Sequence, residues 1–251
     1  MRRWTAAALA VLGGMGGTLA AESPDCAVSA HLAAAEYPLP RVAAAVDQAK
    51  RLDITVVGAG SSTLAGPGGV DLAYPARLEV ILGERLPGVK TKLITNVKPR
   101  RTAADMAEGF EKILMEDKPV LVIWQSGTVD AITGADPEDF RATLDDGVET
   151  LHAGGADVIL MNMQYSPRTE SMIAIQAYAD NMRLVSQQRE VPLLDRFAIM
   201  RNWNELGTFD LNAATKKLET AARIHDCLAQ FLANLIHGGI KLQREQLRPI
   251  Q

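Results

Sequence analysis

The sequence predicts an α/β fold in which a five-stranded parallel sheet is covered by helices on both faces. Apolar runs of strand length alternate with helical patterns along the chain, as in proteins built on parallel sheets. The strand-like runs lie at 53–58, 91–95, 119–124, 157–162 and, more weakly, 191–194. The helical patterns lie at about 74–85, 102–115, 137–153, 170–189 and 213–237, and residues 27–50 fit one or two short helices.

Two of the predicted helices begin with clear capping signals. Asp136 precedes Pro137, so a capping carboxylate stands before the residue type that favours the first helical position. Thr102 and Asp105 approximate a capping box at the start of another helix. These signals support the alternation of strands and helices.

The first strand-like run ends in residues suited to a ligand site. Residues 54–58 are apolar or β-branched up to a glycine, and Ala59, Gly60 and Ser61 follow. Glycines let the backbone turn sharply and leave the serine side chain uncrowded. Because open α/β sheets bind ligands at the carboxyl ends of their strands, Ser61 is the candidate nucleophile.

The N-terminus reads as a secretory signal peptide over residues 1–21. Arg2 and Arg3 provide the positive start, and 4–19 form a short apolar run that ends in small residues. Four glycines interrupt this run, which is too weak for a permanent membrane anchor. We therefore expect one domain over residues 22–251, in a periplasmic or secreted protein.

Charge and cysteine content narrow the classes of partner. Without Arg2 and Arg3, 24 basic residues of the original 26 stand against 30 acidic ones, a net charge of −6. This balance argues against a nucleic-acid partner. The two cysteines, Cys26 and Cys227, are either free thiols or a disulfide, and an oxidising compartment favours the disulfide. The sequence leaves the oligomeric state open.

No cofactor or metal is expected. Gly58 and Gly60 follow a strand, but a lone glycine pair is weak evidence for a dinucleotide site, and no acidic residue is placed to hold a ribose. The four histidines are scattered and no cysteine cluster accompanies them. Metal-ligand spacing is therefore lacking.

Several segments together resemble the SGNH (GDSL-type) hydrolases, and in particular an exported bacterial subgroup. Val-Gly-Ala-Gly-Ser-Ser-Thr at 57–63 resembles the family's nucleophile block, and Tyr-Pro-Ala-Arg-Leu follows at 74–78. Residues 96–106 resemble the block Asn-x-Gly-x-x-Gly-x-Thr, and 124–130 resemble Trp-Gln-x-Gly-Thr-Asn. Further similar segments lie at 154–161, 164–167 and 195–201. The resemblance covers nearly all of the expected mature chain.

This resemblance implies a flavodoxin-like three-layer α/β/α sandwich and ester hydrolysis by a serine nucleophile. Ser61 matches the nucleophile, whereas Ser62 is one residue out of register. The implied oxyanion donors are the backbone N–H groups of Ser61 and Arg100. The family's asparagine donor is replaced by Val129, and the charge of the adjacent Asp130 would repel an oxyanion.

The general base departs further from the family pattern. The exported subgroup carries Asp-Gly-Leu-His about seven residues before a Cys-x-Ala helix. Aligning that cysteine with Cys227 places the histidine near Glu219 and the aspartate near Lys216. A looser alignment brings His225 to the histidine position and makes it the candidate base, ahead of Glu219.

Two functional hypotheses follow. The first is an exported esterase that cleaves acyl or acetyl esters, weakly because its oxyanion and base positions are altered. Its partner would be a small acylated substrate or an acylated polysaccharide. The second is a catalytically inactive protein of the same fold, retained for binding or assembly in the cell envelope. The reach of His225 toward Ser61 separates them.

Overall fold

The sheet has the parallel arrangement that the sequence predicts. The computed structural model describes residues 26–212 and 218–248. Its five parallel strands are β1 (Arg51–Gly58), β2 (Lys90–Val97), β3 (Leu121–Gln125), β4 (Asp157–Met161) and β5 (Leu193–Leu194). They lie in the order β2-β1-β3-β4-β5, which is the flavodoxin-like order. The predicted α/β class and strand number are confirmed.

The strand order places a topological switch point between β1 and β3. From β1 the chain passes to β2 on one side, and it then returns to β3 on the other side. Val57 of β1 is in register with Trp124 of β3, so the two strands end almost level. All residues of β3 and β4 are buried, as expected for strands covered on both faces. The residues that follow β1 and β3 therefore meet in the crevice where such sheets bind ligands.

The helices cover both faces of the sheet, with more breaks than the sequence patterns indicate. They are α1 (Pro40–Ala44), α2 (Gly69–Leu72), α3 (Tyr74–Arg85), α4 (Ala103–Ala107), α5 (Phe110–Glu116), α6 (Thr128–Thr133), α7 (Pro137–Ala153), α8 (Pro167–Met172), α9 (Gln176–Arg189), α10 (Arg196–Glu205) and α11 (Leu218–Gln246). The helices predicted at 74–85 and 137–153 match α3 and α7. The one predicted at 102–115 is divided at Gly109 into α4 and α5.

Local sequence signals account for several of these boundaries. The Thr102 and Asp105 side chains form the predicted capping box of α4. Asp136 accepts a hydrogen bond from the N–H of Glu138 at 2.8 Å and caps α7. Ser166 caps α8, so the pattern predicted at 170–189 begins earlier and is divided into α8 and α9. The short α6 and α10 were not predicted.

The long helix α11 packs mainly against α3 and α1. Leu39, which precedes α1, donates its N–H to the carbonyl of Gly239 at 3.2 Å. A Cβ at Gly239 would come within 2.7 Å of the Leu39 side chain, so only glycine permits this approach. Cys26 and Cys227 are joined by a disulfide bond, which ties the N-terminal segment to α11. The predicted signal peptide, 1–21, lies outside the described residues.

Within residues 26–212 and 218–248, no helix combines the length and the hydropathy needed to cross a membrane.

Candidate active site

Ser61 lies on a tight turn at the carboxyl end of β1. The turn is a single 3-10 helix, Gly60–Ser62, in which the Ser62 N–H donates to the Ala59 carbonyl at 2.9 Å. A Cβ at Gly58 would lie only 2.1 Å from the Ser62 hydroxyl, so the glycine lets this turn fold back onto the strand. The sequence motif thus presents Ser61 at the sheet's carboxyl edge.

The Ser61 hydroxyl accepts a hydrogen bond from Gln125, the last residue of β3. Gln125 Nε2 donates to Ser61 Oγ at 2.5 Å. Gln125 Oε1 accepts from Ser62 Oγ at 2.5 Å and lies 3.5 Å from Nη1 of Arg196. Since arginine is always a donor, it fixes which end of the amide is the oxygen. Gln125 therefore orients Ser61, but its amide cannot take the serine proton.

Ser62 has a different environment from Ser61. It is 1% exposed, and its Oγ accepts from the Tyr74 hydroxyl at 3.2 Å. Burial raises the pKa of Tyr74 to about 12, so this phenol stays protonated. Ser62 is held within the protein, whereas Ser61 lines a cavity. The structure thus distinguishes the two adjacent serines in accessibility.

The cavity beside Ser61 has a volume of about 600 Å³. Its lining is mostly apolar and includes hydroxyls, one imidazole and one guanidinium. These residues are Ala59, Gly60, Ser61, Thr63, Leu64, Ala65, Thr128, Val129, Gln164, Tyr165, Ser166, Arg196, Met200, Leu211, Leu218, Ala221, Ile224 and His225. No carboxylate is found among the described residues that line it. Such a volume suits a small organic molecule.

His225 reaches the same cavity from the interior of α11, with 3% of its surface exposed. Its Nδ1 accepts the backbone N–H of Tyr74 at 3.0 Å. Burial, together with the charge of Arg196, lowers the pKa of His225 to about 3. The imidazole is therefore neutral, with its proton on Nε2. Within the described residues no hydrogen bond joins His225 to Ser61.

The other predicted site residues lie at the edge of the cavity or outside it. Val129 lines the cavity with an apolar side chain. Arg100 is exposed and has φ of 62° in the turn after β2. This turn is close to the nucleophile, because a Cβ at Gly60 would lie 4.0 Å from the Pro99 Cα atom. Glu219 is exposed near the start of α11 and does not line the cavity.

Asp130 does not face the cavity, which corrects the expectation that its charge would repel an oxyanion there. It is 3% exposed and accepts the N–H groups of Ala103 at 2.8 Å and Gly127 at 3.2 Å. These bonds join α4 to the start of α6. Burial raises the pKa of Asp130 despite these hydrogen bonds, which act in the opposite direction. Its role is structural.

Sequence reasoning gave no role to Arg196, a charged residue that lines the cavity. Arg196 begins α10 and is 1% exposed. Its Nη1 donates to the Ser61 carbonyl at 3.0 Å and its Nη2 to Gln164 Oε1 at 3.2 Å. Burial lowers its pKa to about 10, so it remains a cation at neutral pH. No described carboxylate pairs with it.

Asn162 positions Arg196 and was also missed. It directly follows β4 and is fully buried. Its Oδ1 accepts the N–H of Phe197 at 2.9 Å, and its Nδ2 donates to Asp195 at 2.7 Å. These bonds fix the first turn of α10. The signal that could have revealed both Asn162 and Gln125 is an amide at the carboxyl end of a buried strand.

Comparisons with known proteins agree with this fold. Residues 25–242 match the Non-GDSL lipase-like family. Among solved structures, TesA is 21% identical, with a TM-score of 0.57 over 72% of this chain and 99% of its own. A mutant of Axe2, an acetylxylan esterase from Geobacillus stearothermophilus, is 15% identical, with a TM-score of 0.59 over 73% and 93%. The esterase EstA from Pseudoalteromonas sp. is also 15% identical, with a TM-score of 0.55 over 73% and 98%. A search of curated proteins finds no match.

Proposed function

We propose that this chain, which belongs to the Non-GDSL lipase-like family of SGNH-type hydrolases, is an exported hydrolase. It cleaves acyl or acetyl esters slowly. One observation carries the proposal: Ser61 stands at the carboxyl edge of β1 in a cavity of about 600 Å³ that also contains His225. Ser61 Oγ is the nucleophile. Its attack on the ester carbonyl releases the alcohol and leaves an acyl-serine, which water then hydrolyses.

Backbone N–H groups stabilise the oxyanion in this proposal. The donors are those of Ser61 and Arg100, and the closeness of the Pro99 turn to Gly60 supports the second. Val129 supplies no side-chain donor at the position where the family has asparagine. A missing oxyanion donor typically costs about 10²–10³ in rate, which is one reason to expect slow turnover.

The general base is the second reason to expect slow turnover. His225 is the candidate, but a base for Ser61 needs a free lone pair directed at the hydroxyl. In the described arrangement, Nδ1 of His225 is occupied by the Tyr74 N–H and Nε2 carries the proton. Catalysis would require His225 to release the Tyr74 N–H and exchange its tautomer. This conformational cost would lower the rate.

The hydrogen bond from the Tyr74 N–H to His225 Nδ1 favours a second candidate function. In this case the chain is a catalytically inactive binding or assembly protein of the cell envelope. If His225 never releases the Tyr74 N–H, Ser61 has no base and the cavity serves only to bind a ligand. The two candidates share the cavity and differ in turnover.

Several features support export and an acylated partner. The disulfide between Cys26 and Cys227 suits an oxidising compartment. The N-terminal pattern over residues 1–21 has the features of a signal peptide. One of the similar structures is a mutant of an acetylxylan esterase, so acetylated oligosaccharides join small acyl esters as the substrates to test.

The test is hydrolysis of p-nitrophenyl acetate and p-nitrophenyl butyrate, with fluorophosphonate labelling as a second readout. We expect slow hydrolysis and labelling that are both lost in Ser61→Ala. The matched control is Ser62→Ala, which removes the adjacent buried hydroxyl and should keep both signals. Equal background rates of hydrolysis in the wild type and both variants would exclude the esterase function and leave only the binding function.

His225→Asn tests the base separately. The asparagine Oδ1 can replace Nδ1 as acceptor for the Tyr74 N–H, so the variant keeps the structural bond and removes the imidazole. A base role predicts a loss of hydrolysis comparable to that of Ser61→Ala. Unchanged hydrolysis would exclude His225 as the base.

A further inference from the structure

Arg196 is a buried cation, and no described residue neutralises its charge. It is 1% exposed and makes no ion pair with any described residue. Its three hydrogen bonds go to neutral oxygens, on Ser61, Gln125 and Gln164. A buried charge without a partner is costly, and proteins usually retain such a group only where it has a function.

Nearby ionisable groups do not provide the missing negative charge. Tyr74, with its pKa raised to about 12, and His225, with its pKa lowered to about 3, are both neutral at pH 7. The carboxylate of Asp195, next in the chain, is bonded to Arg183 at 2.6 Å and to Asn162 at 2.7 Å. The position of Arg196 at the first turn of α10 adds the positive end of a helix dipole.

Some polar groups of the cavity lining have no hydrogen-bond partner among the described residues. A guanidinium has five N–H groups, and the three hydrogen bonds to Ser61, Gln125 and Gln164 leave two of them, including that of the buried Nε. The hydroxyl of Thr128 is likewise buried and has no hydrogen-bond partner among the described residues, and Thr128 lines the cavity. His225 presents a protonated Nε2 because its Nδ1 is an acceptor. The negatively charged oxygens of a ligand in the cavity would offset this excess of N–H donors and the positive charge of Arg196.

The rest of the cavity is apolar. Its aliphatic lining includes Leu64, Val129, Met200, Leu211 and Ile224. We propose that the cavity binds an organic anion whose carboxylate lies against Arg196 and whose aliphatic chain lies against this lining. Ligand binding, rather than a protein carboxylate, then neutralises Arg196. The inference goes beyond the proposed function, since it requires binding and no turnover.

The experiment measures the binding of hexanoate and of its neutral isostere hexanamide to the full chain by isothermal titration calorimetry. Each is titrated into the wild type and into Ser61→Ala. We expect hexanoate to bind at least tenfold more tightly than hexanamide in both proteins. Equal affinities, or no binding of hexanoate, would overturn the proposal. Retained hexanoate binding in Ser61→Ala, whatever the hydrolysis assay gives, separates this inference from the proposed function.

Substitutions of single arginines test which positive charge gives the preference for hexanoate over hexanamide. Arg196→Gln should abolish the preference for hexanoate, and Arg196→Lys should retain part of it. Arg201→Gln is the matched control, because Arg201 lies on the same helix but is exposed and pairs with Glu170 and Glu205. A preference that survives in Arg196→Gln contradicts the proposal. If Arg196→Gln does not fold, the proposal is tested by the affinities of hexanoate and hexanamide for the wild type and for Arg196→Lys.

Discussion

The buried charges at the two ends of the sheet differ in their partners. At the amino end of β4, Asp157 is 2% exposed and accepts the N–H groups of Arg41 and Val42 at 2.9 Å each. Its other oxygen accepts from the Arg41 side chain at 3.2 Å. At the carboxyl end, Arg196 is equally buried but has only neutral acceptors and no described ion pair.

This difference separates a structural charge from a functional one. Asp157 joins the start of α1 to the sheet, so its partners come from the protein itself. Even so, burial raises the pKa of Asp157 more than these hydrogen bonds lower it, which shows how costly burial is. Burial also disfavours the charge of Arg196, for which no described residue supplies an anion. A free donor in a cavity is useful where a ligand supplies the acceptor.

Removing the charge at the amino end should produce the largest loss of stability. Asp157→Ala leaves the N–H groups of Arg41 and Val42 without an acceptor, and we expect a loss of about 2–3 kcal/mol in the free energy of unfolding. Urea denaturation measures it. The control is Glu138→Ala, which breaks the exposed pair with Arg141 and should cost less than about 0.5 kcal/mol. Similar losses of stability in Asp157→Ala and Glu138→Ala would show that the buried carboxylate contributes no more than an exposed ion pair.

A pH dependence of stability should reveal the buried histidine beside Arg196. The folded-state pKa of His225 is about 3, below its unfolded value of about 6.5. The unfolded chain therefore binds an extra proton between these values, and stability falls as pH decreases from about 6.5 toward 3. The slope from this group approaches about 1.4 kcal/mol per pH unit.

His225→Asn should flatten this slope, as measured by urea denaturation at pH 4, 5, 6 and 7. The matched control is His237→Asn, at an exposed histidine on the same helix. An equal flattening in both variants would show that burial near Arg196 is not the cause.

An internal anion beside Arg196 should make the two ends of the sheet alike. Gln125→Glu puts a carboxylate where Oε1 lies 3.5 Å from Arg196, so the guanidinium would have a protein partner. We expect the affinity for hexanoate to fall at least tenfold. The control Gln187→Glu adds the same charge at an exposed position on α9. Undiminished binding in Gln125→Glu would show that Arg196 is not the anion's partner.

The smallest effect is expected for the stability of Arg196→Met. Replacing a buried, unpaired cation with an apolar side chain removes a desolvation cost and also three hydrogen bonds. We expect the free energy of unfolding to stay within about 1 kcal/mol of the wild type in thermal or urea denaturation. A loss as large as that of Asp157→Ala would show that Arg196 serves stability rather than ligand binding.

Local sequence patterns predicted the elements whose pattern is long and regular. The five strands and the helices α3 and α7 follow from apolar periodicity and from capping residues such as Thr102 and Asp136. Helix α6 has six residues and is too short for a period to be visible. Helix α10 was missed because its first residue is a buried arginine, which conceals the apolar face.

The candidate site was predicted in part. Ser61 was identified because a strand that ends in glycines exposes the next side chain at the sheet edge. The roles of Gln125 and Arg196 depend on contacts between residues 71 positions apart in the chain, which no local pattern encodes. His225 as the general base stays a prediction, and the tautomer set by the Tyr74 N–H is the observation against which it must be tested.

The parallel α/β architecture, the family and the serine at the carboxyl edge of β1 follow from the amino-acid sequence alone. These depend on residue type and on spacing along a single segment. Three properties follow from the packing of distant segments: Arg196 is buried with no anion among the described residues, Asp130 does not line the cavity, and the Nδ1 lone pair of His225 is occupied. Burial and hydrogen-bond partners depend on which distant segments pack together, and they set the charge and proton state of each side chain.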